Sequence, residues 1–372
     1  MNELARPPAG DALAVVAALF RRVLAQFEDP ARRQSLRRHA WQVGPWRIEQ
    51  RHLGPALEDL FCPAWAHLPP PAEGSGGLTV YCADVEATGL DLGALPWRSA
   101  EAAHQGLIAA LEGSDYRAFW DQQGHAVHLF DRRRGKAIYA VRSRRDFRSW
   151  ERSIPIRHIL HWWTQAQPVG QLVHAGAVGV PAGGVLLLGA SGAGKSTTTL
   201  ACLAGGLKIA SDDFVLVAPA QGSPAIHSIS ATAKLSRSAL LRFPELAAKM
   251  VNPQEQEPEK ALFFLDRFSP SPLIGAMPLK ALVMLNRLDR RDTSFAPVSA
   301  AAALQASAPN TLFLLPGDRS QAFTRIAQIF RDHPCFRLDL GHDLAQIPER
   351  IGELLAKLGS HPVTPAPLTR HP

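Results

Sequence analysis

The spacing of apolar residues changes along the chain and predicts helices and strands in different places. Between residues 12 and 27 the apolar positions recur at helical spacing, which indicates an amphipathic helix. A Pro- and Gly-rich break lies at residues 69–77, and several strands are expected between residues 78 and 141. The apolar runs 127–131 and 137–141 flank Arg134 and Gly135, a pattern typical of a β-hairpin.

In the second half of the chain, short apolar runs alternate with helical stretches. Residues 184–188 predict a buried parallel strand, and residues 196–204 predict a helix directly after it. Residues 171–178 are expected to form a strand that pairs with 184–188, and residues 207–217 to form another strand. Further strands are predicted near Phe263 and Ala281, and helices through Leu246 and over residues 322–330. This alternation is typical of an α/β fold.

Composition divides the chain near residue 153, because all eight tryptophans and all three tyrosines precede residue 184. We therefore predict a smaller α+β amino-terminal domain over residues 1–152, an α/β domain over 153–360 and a disordered Pro-rich tail over 361–372. The amino-terminal domain carries no catalytic pattern. Recognition of a substrate and a structural cap on the second domain are both open for it.

Charge and cysteine content narrow the class of protein. The net charge is +7, and the densest basic cluster, between Arg132 and Arg152, surrounds the predicted hairpin. A solvated basic face explains this cluster, with an anionic partner as the alternative, and no recognised nucleic-acid-binding module accompanies it. The four cysteines form no C-x-x-C pair, and neither a secretion signal nor a membrane span is visible. A cytoplasmic protein with no nucleic-acid or membrane partner is expected.

The strongest candidate for chemistry is the loop between the predicted strand and helix. Residues 189–196 read GASGAGKS and match the phosphate-binding pattern G-x-x-x-x-G-K-[S/T] at each fixed position. Glycines let backbone N–H groups turn toward a polyphosphate, the lysine adds positive charge, and the serine hydroxyl is a magnesium ligand. The residues predicted to bind a nucleotide are Gly189, Ala190, Ser191, Gly192, Ala193, Gly194, Lys195, Ser196 and Thr197.

Two acids and a histidine accompany the loop in sequence. Asp212 and Asp213 interrupt an otherwise apolar run, and beside a phosphate loop one carboxylate can hold magnesium while the other accepts a proton. His174 lies in the strand expected to pair with the one that enters the loop. An imidazole there would orient an acceptor or stabilise phosphoryl charge, although a histidine in an apolar strand is more often a core residue.

Together these segments resemble the catalytic core of HPr kinase/phosphorylase and its serine-kinase relatives. The resemblance rests on HAGAV at 174–178, GVLLLGASGAGKS at 184–196 and ASDD at 210–213, and extends from about residue 158 to residue 358. It implies an HPr-kinase-like P-loop domain whose fold is related to that of ATP-dependent phosphoenolpyruvate carboxykinase. The family includes kinases of lasso-peptide and other peptide-modification systems.

The resemblance also implies roles for individual residues. Asp212 would be the base, with His174 and Lys195 as further catalytic residues, and Ser196 and Asp213 would hold magnesium. Thr197 stands where the bifunctional enzyme has glutamate, and its E-[IV]-R-G-x-G signature has no counterpart in residues 214–246. We therefore expect a kinase without phosphorylase activity.

The sequence thus predicts an ATP- and Mg²⁺-dependent kinase that phosphorylates a serine or similar hydroxyl of a protein or peptide. A nucleotide-binding regulatory or scaffold protein without catalysis, and a small-molecule kinase, are the alternatives. GTP or pyrophosphate as donor stays open, as does a homo-oligomeric state.

Overall fold

In the computed structural model the chain forms a mixed α/β structure with several sheets. The structure describes residues 9–359, except 75, 94, 96–107, 109–110, 112, 122–124, 148, 255–259 and 269–271, so the predicted tail 361–372 lies outside it. The helices in the described residues are Ala9–Glu28 (α1), Pro30–Arg33 (α2), Glu58–Phe61 (α3), Val85–Thr88 (α4), Ser149–Ser153 (α5), Arg157–Ala166 (α6), Lys195–Ala204 (α7), Arg237–Leu240 (α8), Ala300–Leu314 (α9), Arg319–Asp332 (α10) and Gln346–Gly359 (α11).

The strands divide among three sheets within the described residues. They are Leu36–Val43 (β1), Trp46–Leu53 (β2), Gly77–Asp84 (β3), Tyr116–Asp121 (β4), Ala126–Asp131 (β5), Lys136–Val141 (β6), Gln171–Val173 (β7), Gly176–Val180 (β8), Gly183–Leu188 (β9), Lys208–Ser211 (β10), Val215–Ala220 (β11), Ser223–His227 (β12), Thr232–Leu235 (β13), Ala261–Phe264 (β14), Ala276–Arg287 (β15), Ser294–Pro297 (β16) and Cys335–Leu340 (β17).

The first sheet has the strand order β1-β2-β3-β6-β5-β4, and α1 packs on it. The predicted helix and the β5–β6 hairpin are both confirmed. Phe20 and Phe27 of α1 are fully buried in a core that includes Tyr81 of β3. Strands β1 and β2 were not predicted, because arginine, histidine and glutamine interrupt their apolar positions.

The second sheet has the order β10-β8-β9-β15-β12-β11-β7, with β17 beside β15 and β16 beside β17. Its central strand β9 pairs antiparallel with β8 and parallel with β15. One apolar core joins it to α7 and α11, and another joins it to α9 and α10. Helix layers therefore enclose the sheet, as an apolar strand such as β9 requires.

The second half departs from the predicted elements at several points. The helix expected through Leu246 is only the short α8 followed by a 3₁₀ turn at Pro244–Lys249. Strand β16 and helix α9 were not predicted, and α9 contains Pro309 in its interior. The strands near Phe263 and Ala281 and the helix over 322–330 are confirmed as β14, β15 and α10.

A third core connects the first sheet to the second. Trp65 and Phe130 of the first half belong to it together with Leu172, Phe214 and Leu216 of the second. The apolar interior is therefore continuous across residue 153, and the two predicted domains stay a prediction. Among the described helices, none combines the length and apolar character that crossing a bilayer requires.

Candidate functional site

The glycine-rich segment lies between β9, which ends at Leu188, and α7, which begins at Lys195. Gly192 and Gly194 have φ values of 82° and 101°, in the left-handed region that favours glycine. Gly194 is also the residue that precedes α7. The motif therefore has the strand, loop and helix context that a phosphate-binding loop requires, with the free N–H groups of the helix start beside it.

Lys195 folds back over the loop. Its Nζ donates to the carbonyl oxygens of Gly189, at 2.7 Å, and Ala190, at 3.2 Å. Burial lowers the pKa of Lys195, and the charges of Asp213 and Asp212 oppose that shift. This ammonium group thus lies within the electrostatic reach of both acids while it contacts the loop.

Two interrupted strands bring the histidine and the acids together. His174 and Ala175 lie between β7 and β8, while residues 212–214 lie between β10 and β11. Because β7 pairs with β11 and β8 pairs with β10, the two interruptions face each other. The prediction of a continuous strand over 171–178 is wrong at His174, and so is the continuous strand over 207–217. The predicted pairing of this segment with 184–188 is confirmed through β8 and β9.

Asp212 is 1% exposed and faces the first turn of α7. Its Oδ2 accepts hydrogen bonds from Ser196 Oγ, at 2.9 Å, and from the backbone N–H of Lys234, at 3.0 Å. Its buried Oδ1 has no hydrogen-bond partner among the described residues. Burial, assisted by the charge of Asp213, raises the pKa of Asp212 to about 6. The site therefore holds a buried carboxylate whose negative charge is poorly compensated.

Asp213 has the opposite surroundings. Its Oδ2 lies 2.7 Å from Lys234 Nζ, and its Oδ1 lies 3.1 Å from His174 Nε2. Burial alone would raise the pKa of Asp213, but Lys234 and His174 hold it well below its ordinary value. Its side chain is 19% exposed, so it is more accessible than Asp212. Asp213 is thus an ionised carboxylate with its own cation.

His174 is positioned from two sides. Its backbone N–H donates to Thr311 Oγ1 of α9 at 3.0 Å, and its ring lies 4.8 Å from the ring of Phe214. Burial lowers the pKa of His174, although Asp213 opposes the shift. A neutral imidazole with its Nε2 proton directed at Asp213 fits these contacts.

These contacts bear on the sequence predictions for the site. Ser196 and Asp213 were expected to share a metal ion, but the Ser196 hydroxyl contacts Asp212 instead. Lysine and arginine side chains are usually exposed, but Lys234 and Arg237 are both half-buried. Lys234 lies between the acids, whereas Arg237 donates to the carbonyl oxygen of Asn252 and is structural.

A cavity of about 750 Å³ contains the loop, the acids and His174. This volume is in the range of small-molecule sites. Sequence reasoning gave most of its charged lining no role, because the residues come from separate elements and carry no motif. The cationic side chains that line the cavity among the described residues are Arg157, Lys195, Lys234, Arg242, Lys260 and Arg287.

Comparisons with known proteins add little to this description. No family model matches the chain, and no curated protein matches it significantly. Among solved structures, the HPr(Ser) kinase/phosphatase from Coxiella burnetii aligns with a TM-score of 0.29 and 11% identity, over 50% of this chain and 95% of that one. A likeness this weak carries no weight for fold or function, so the family resemblance stays a prediction from sequence.

Proposed function

We propose that the chain is a phosphotransferase of the HPr-kinase type, which transfers the terminal phosphoryl group of ATP to a hydroxyl group of a protein or peptide. One observation carries the proposal: the Ser196 hydroxyl lies 2.9 Å from Asp212, directly beside the Asp213–His174 pair, in one cavity with the phosphate loop. A binding loop alone needs no such pair of carboxylates. Phosphoryl transfer needs more than nucleotide binding: it also needs a bound metal ion and a group that takes the proton of the acceptor hydroxyl. The two carboxylates can supply these two functions.

The residues present fit a magnesium ion next to Asp212. The poorly compensated carboxylate has a free buried oxygen and touches a serine hydroxyl, and oxygen ligands are what Mg²⁺ prefers. The described residues hold no cluster of three or more histidine, cysteine or acidic side chains suited to a metal ion. A magnesium ion at Asp212 would be held by one carboxylate, one hydroxyl, waters and nucleotide phosphates. When bound, the ion neutralises phosphate charge.

The residues of the site then have separate roles in phosphoryl transfer. The loop amides and Lys195 hold the phosphates, and Asp213 orients the acceptor hydroxyl and takes its proton as the new O–P bond forms. The bond between the terminal phosphorus and its bridging oxygen breaks, and ADP leaves. His174 and Lys234 fix the Asp213 carboxylate in place. This assignment exchanges the roles that the resemblance implied for Asp212 and Asp213, because Ser196 contacts Asp212 and the more accessible acid is Asp213.

Transfer of label from ATP tests the proposal. Purified wild-type, Asp213→Asn and Lys195→Met proteins would be incubated with Mg²⁺, γ-labelled ATP and fractions of host lysate. We expect a discrete labelled acceptor with the wild type alone, and mass spectrometry would show whether it is a peptide or a small molecule. Tight nucleotide binding by the wild type with no labelled acceptor in any fraction would instead favour a non-catalytic nucleotide-binding protein.

A further inference from the structure

A strained backbone precedes one of the cavity's cations. Ile156 is 3% exposed and has φ 55° and ψ 26°, in the left-handed region. For a β-branched residue this conformation is a true outlier and is strained. Such strain persists where surrounding structure imposes it, often at binding sites. At this position it sets the direction in which α6 begins, and therefore the place of its first residue, Arg157.

Arg157 reaches the cavity beside the catalytic pair. Its guanidinium carbon lies 5.3 Å from the centroid of the Phe214 ring, the same ring that contacts His174. Burial lowers the pKa of Arg157, although Asp213, Glu151 and Asp121 oppose the shift. A guanidinium group in partly desolvated surroundings binds an oxyanion more strongly than one in water.

The contacts of Arg157 differ from those of Lys195. Lys195 lies on the loop carbonyls, whereas Arg157 lies against the Phe214 ring, and its Nη2 is 3.4 Å from His158 Nε2. Asp213 acts electrostatically on both cations. Arg157 is therefore grouped with the residues that face the acceptor and not with the loop that holds the nucleotide.

Helix α9 supplies an apolar wall to the same cavity. Phe313 and Leu314 line it and are 58% and 37% exposed, which is high for large apolar side chains. Thr311 of the same helix holds the backbone of His174. The cavity thus combines a base, an exposed apolar surface and a half-buried cation, a combination suited to a molecule that carries a negative group close to its hydroxyl.

Building on the proposed function, we infer that Arg157 binds an anionic group, a carboxylate or a phosphate, that the acceptor carries near the hydroxyl to be phosphorylated. Arginine suits both groups because its planar fork pairs with two oxygens at once. The inference narrows the substrate class to hydroxyl compounds or peptide segments with an adjacent negative charge. It adds Arg157 to the residues that contact substrate.

The experiment uses small anions as probes of the acceptor subsite. Wild-type protein would be saturated with Mg²⁺ and the non-hydrolysable analogue AMP-PNP, so that the loop is filled, and then titrated calorimetrically with inorganic phosphate or, separately, acetate. We expect at least one of the two anions to bind, and Arg157→Met to weaken that binding at least tenfold, the order of one charge-assisted hydrogen bond. Arg157→Lys keeps the positive charge but lacks the planar guanidinium group, so its anion affinity should lie between those of the wild type and Arg157→Met. Arg331→Met, which removes an exposed charge from α10, is the control and should match the wild type.

The outcomes separate this inference from the proposed function. Failure of the wild type to bind AMP-PNP would count against the proposed function itself. Normal AMP-PNP binding, with anion binding absent or equally strong in Arg157→Met, would overturn the inference. Loss of acceptor-independent ATP hydrolysis in the variant would overturn it too, because Arg157 would then act on the transferred phosphoryl group. If Arg157→Met does not fold, Arg157→Lys decides the matter by the same titration.

Discussion

The two sides of the cavity place adjacent acids in opposite environments. On the loop side, Asp212 has a pKa raised to about 6 and contacts the Ser196 hydroxyl. On the acceptor side, Asp213 has a pKa held well below its ordinary value and contacts Lys234 and His174. Two carboxylates whose environments separate their pKa values have separate tasks. In the proposed function, the acid that has a protein cation, Asp213, would face the acceptor, and the acid without one, Asp212, would bind the metal ion.

The local backbone explains why the adjacent residues Asp212 and Asp213 have such different surroundings. Asp212 follows the end of β10, and in extended chain successive side chains point to opposite sides. Asp212 therefore contacts Ser196 at the start of α7, whereas Asp213 contacts His174 in the segment between β7 and β8. Lys234 serves both acids, through its backbone N–H to Asp212 and its side chain to Asp213. A single residue of β13 therefore helps to keep the two environments distinct.

The largest expected effect is on the acceptor side. Asp213→Asn keeps the size of the side chain but removes the negative charge that accepts the hydroxyl proton. We expect the transfer rate to fall about 10²- to 10⁴-fold, the usual contribution of a general base, with affinity for Mg²⁺–AMP-PNP nearly unchanged. Initial rates of label transfer and calorimetric nucleotide binding measure the two quantities. A variant with normal transfer would remove Asp213 from the base role and return it to Asp212.

On the loop side, Asp212→Asn should affect the metal and not the proton. In the wild type, Mg²⁺ should increase the affinity for AMP-PNP. We expect this increase to be about 10- to 100-fold smaller in the variant, since a direct metal ligand is lost. Affinity in EDTA should stay the same. Asp213→Asn is the matched control, because it makes the same chemical change one residue away. Equal Mg²⁺ dependence in Asp212→Asn and the wild type would contradict the comparison.

The sequence predicted one side of this comparison better than the other. Residues 189–196 act through local backbone geometry, so a motif in contiguous sequence was enough to predict their strand, loop and helix. The contact between His174 and Asp213 depends on strand pairings between distant segments. Its residues were identified, but only the folded chain shows that His174 contacts Asp213 and Ser196 contacts Asp212.

Other residues of the site carried no usable signal. Lys234 and Arg157 are single basic residues in ordinary surroundings, and their positions follow from the β13–β14 pairing and from the start of α6. A lysine or arginine is usually exposed, so the sequence alone gave no reason to place Lys234 or Arg157 inside the cavity. Strands β1 and β2 were missed for a related reason, because their polar residues hide the apolar periodicity.

The pH dependence of metal-dependent binding gives a smaller and sharper test. Mg²⁺ needs ionised Asp212, whose pKa is about 6 in the free protein. Below pH 6 we expect the wild-type affinity for Mg²⁺–AMP-PNP to fall about tenfold per pH unit, relative to Asp212→Asn. Protonation of the nucleotide affects both proteins alike and cancels in the ratio. A ratio that stays constant between pH 5 and pH 7.5 would show that Asp212 does not control metal binding.

The smallest effect is on stability without metal or nucleotide. The pKa of Asp212 is about 6 in the folded protein, against 3.8 for an unperturbed aspartate, so between these values the folded protein retains a proton that the unfolded chain has lost. The contribution of Asp212 to the stability of the folded protein is therefore lost as pH rises through that window. The Asp212→Asn variant has no titrating group at this position, so its stability does not change for this reason. Between pH 4 and pH 6.5 we expect the free energy of unfolding of the variant to rise relative to that of the wild type, by on the order of 2–3 kcal/mol. Above pH 6.5 the difference between the two proteins should stay constant. Urea unfolding at several pH values in EDTA measures the difference. A difference independent of pH would mean that the Asp212 charge is compensated in the folded protein, and the contrast with Asp213 would disappear.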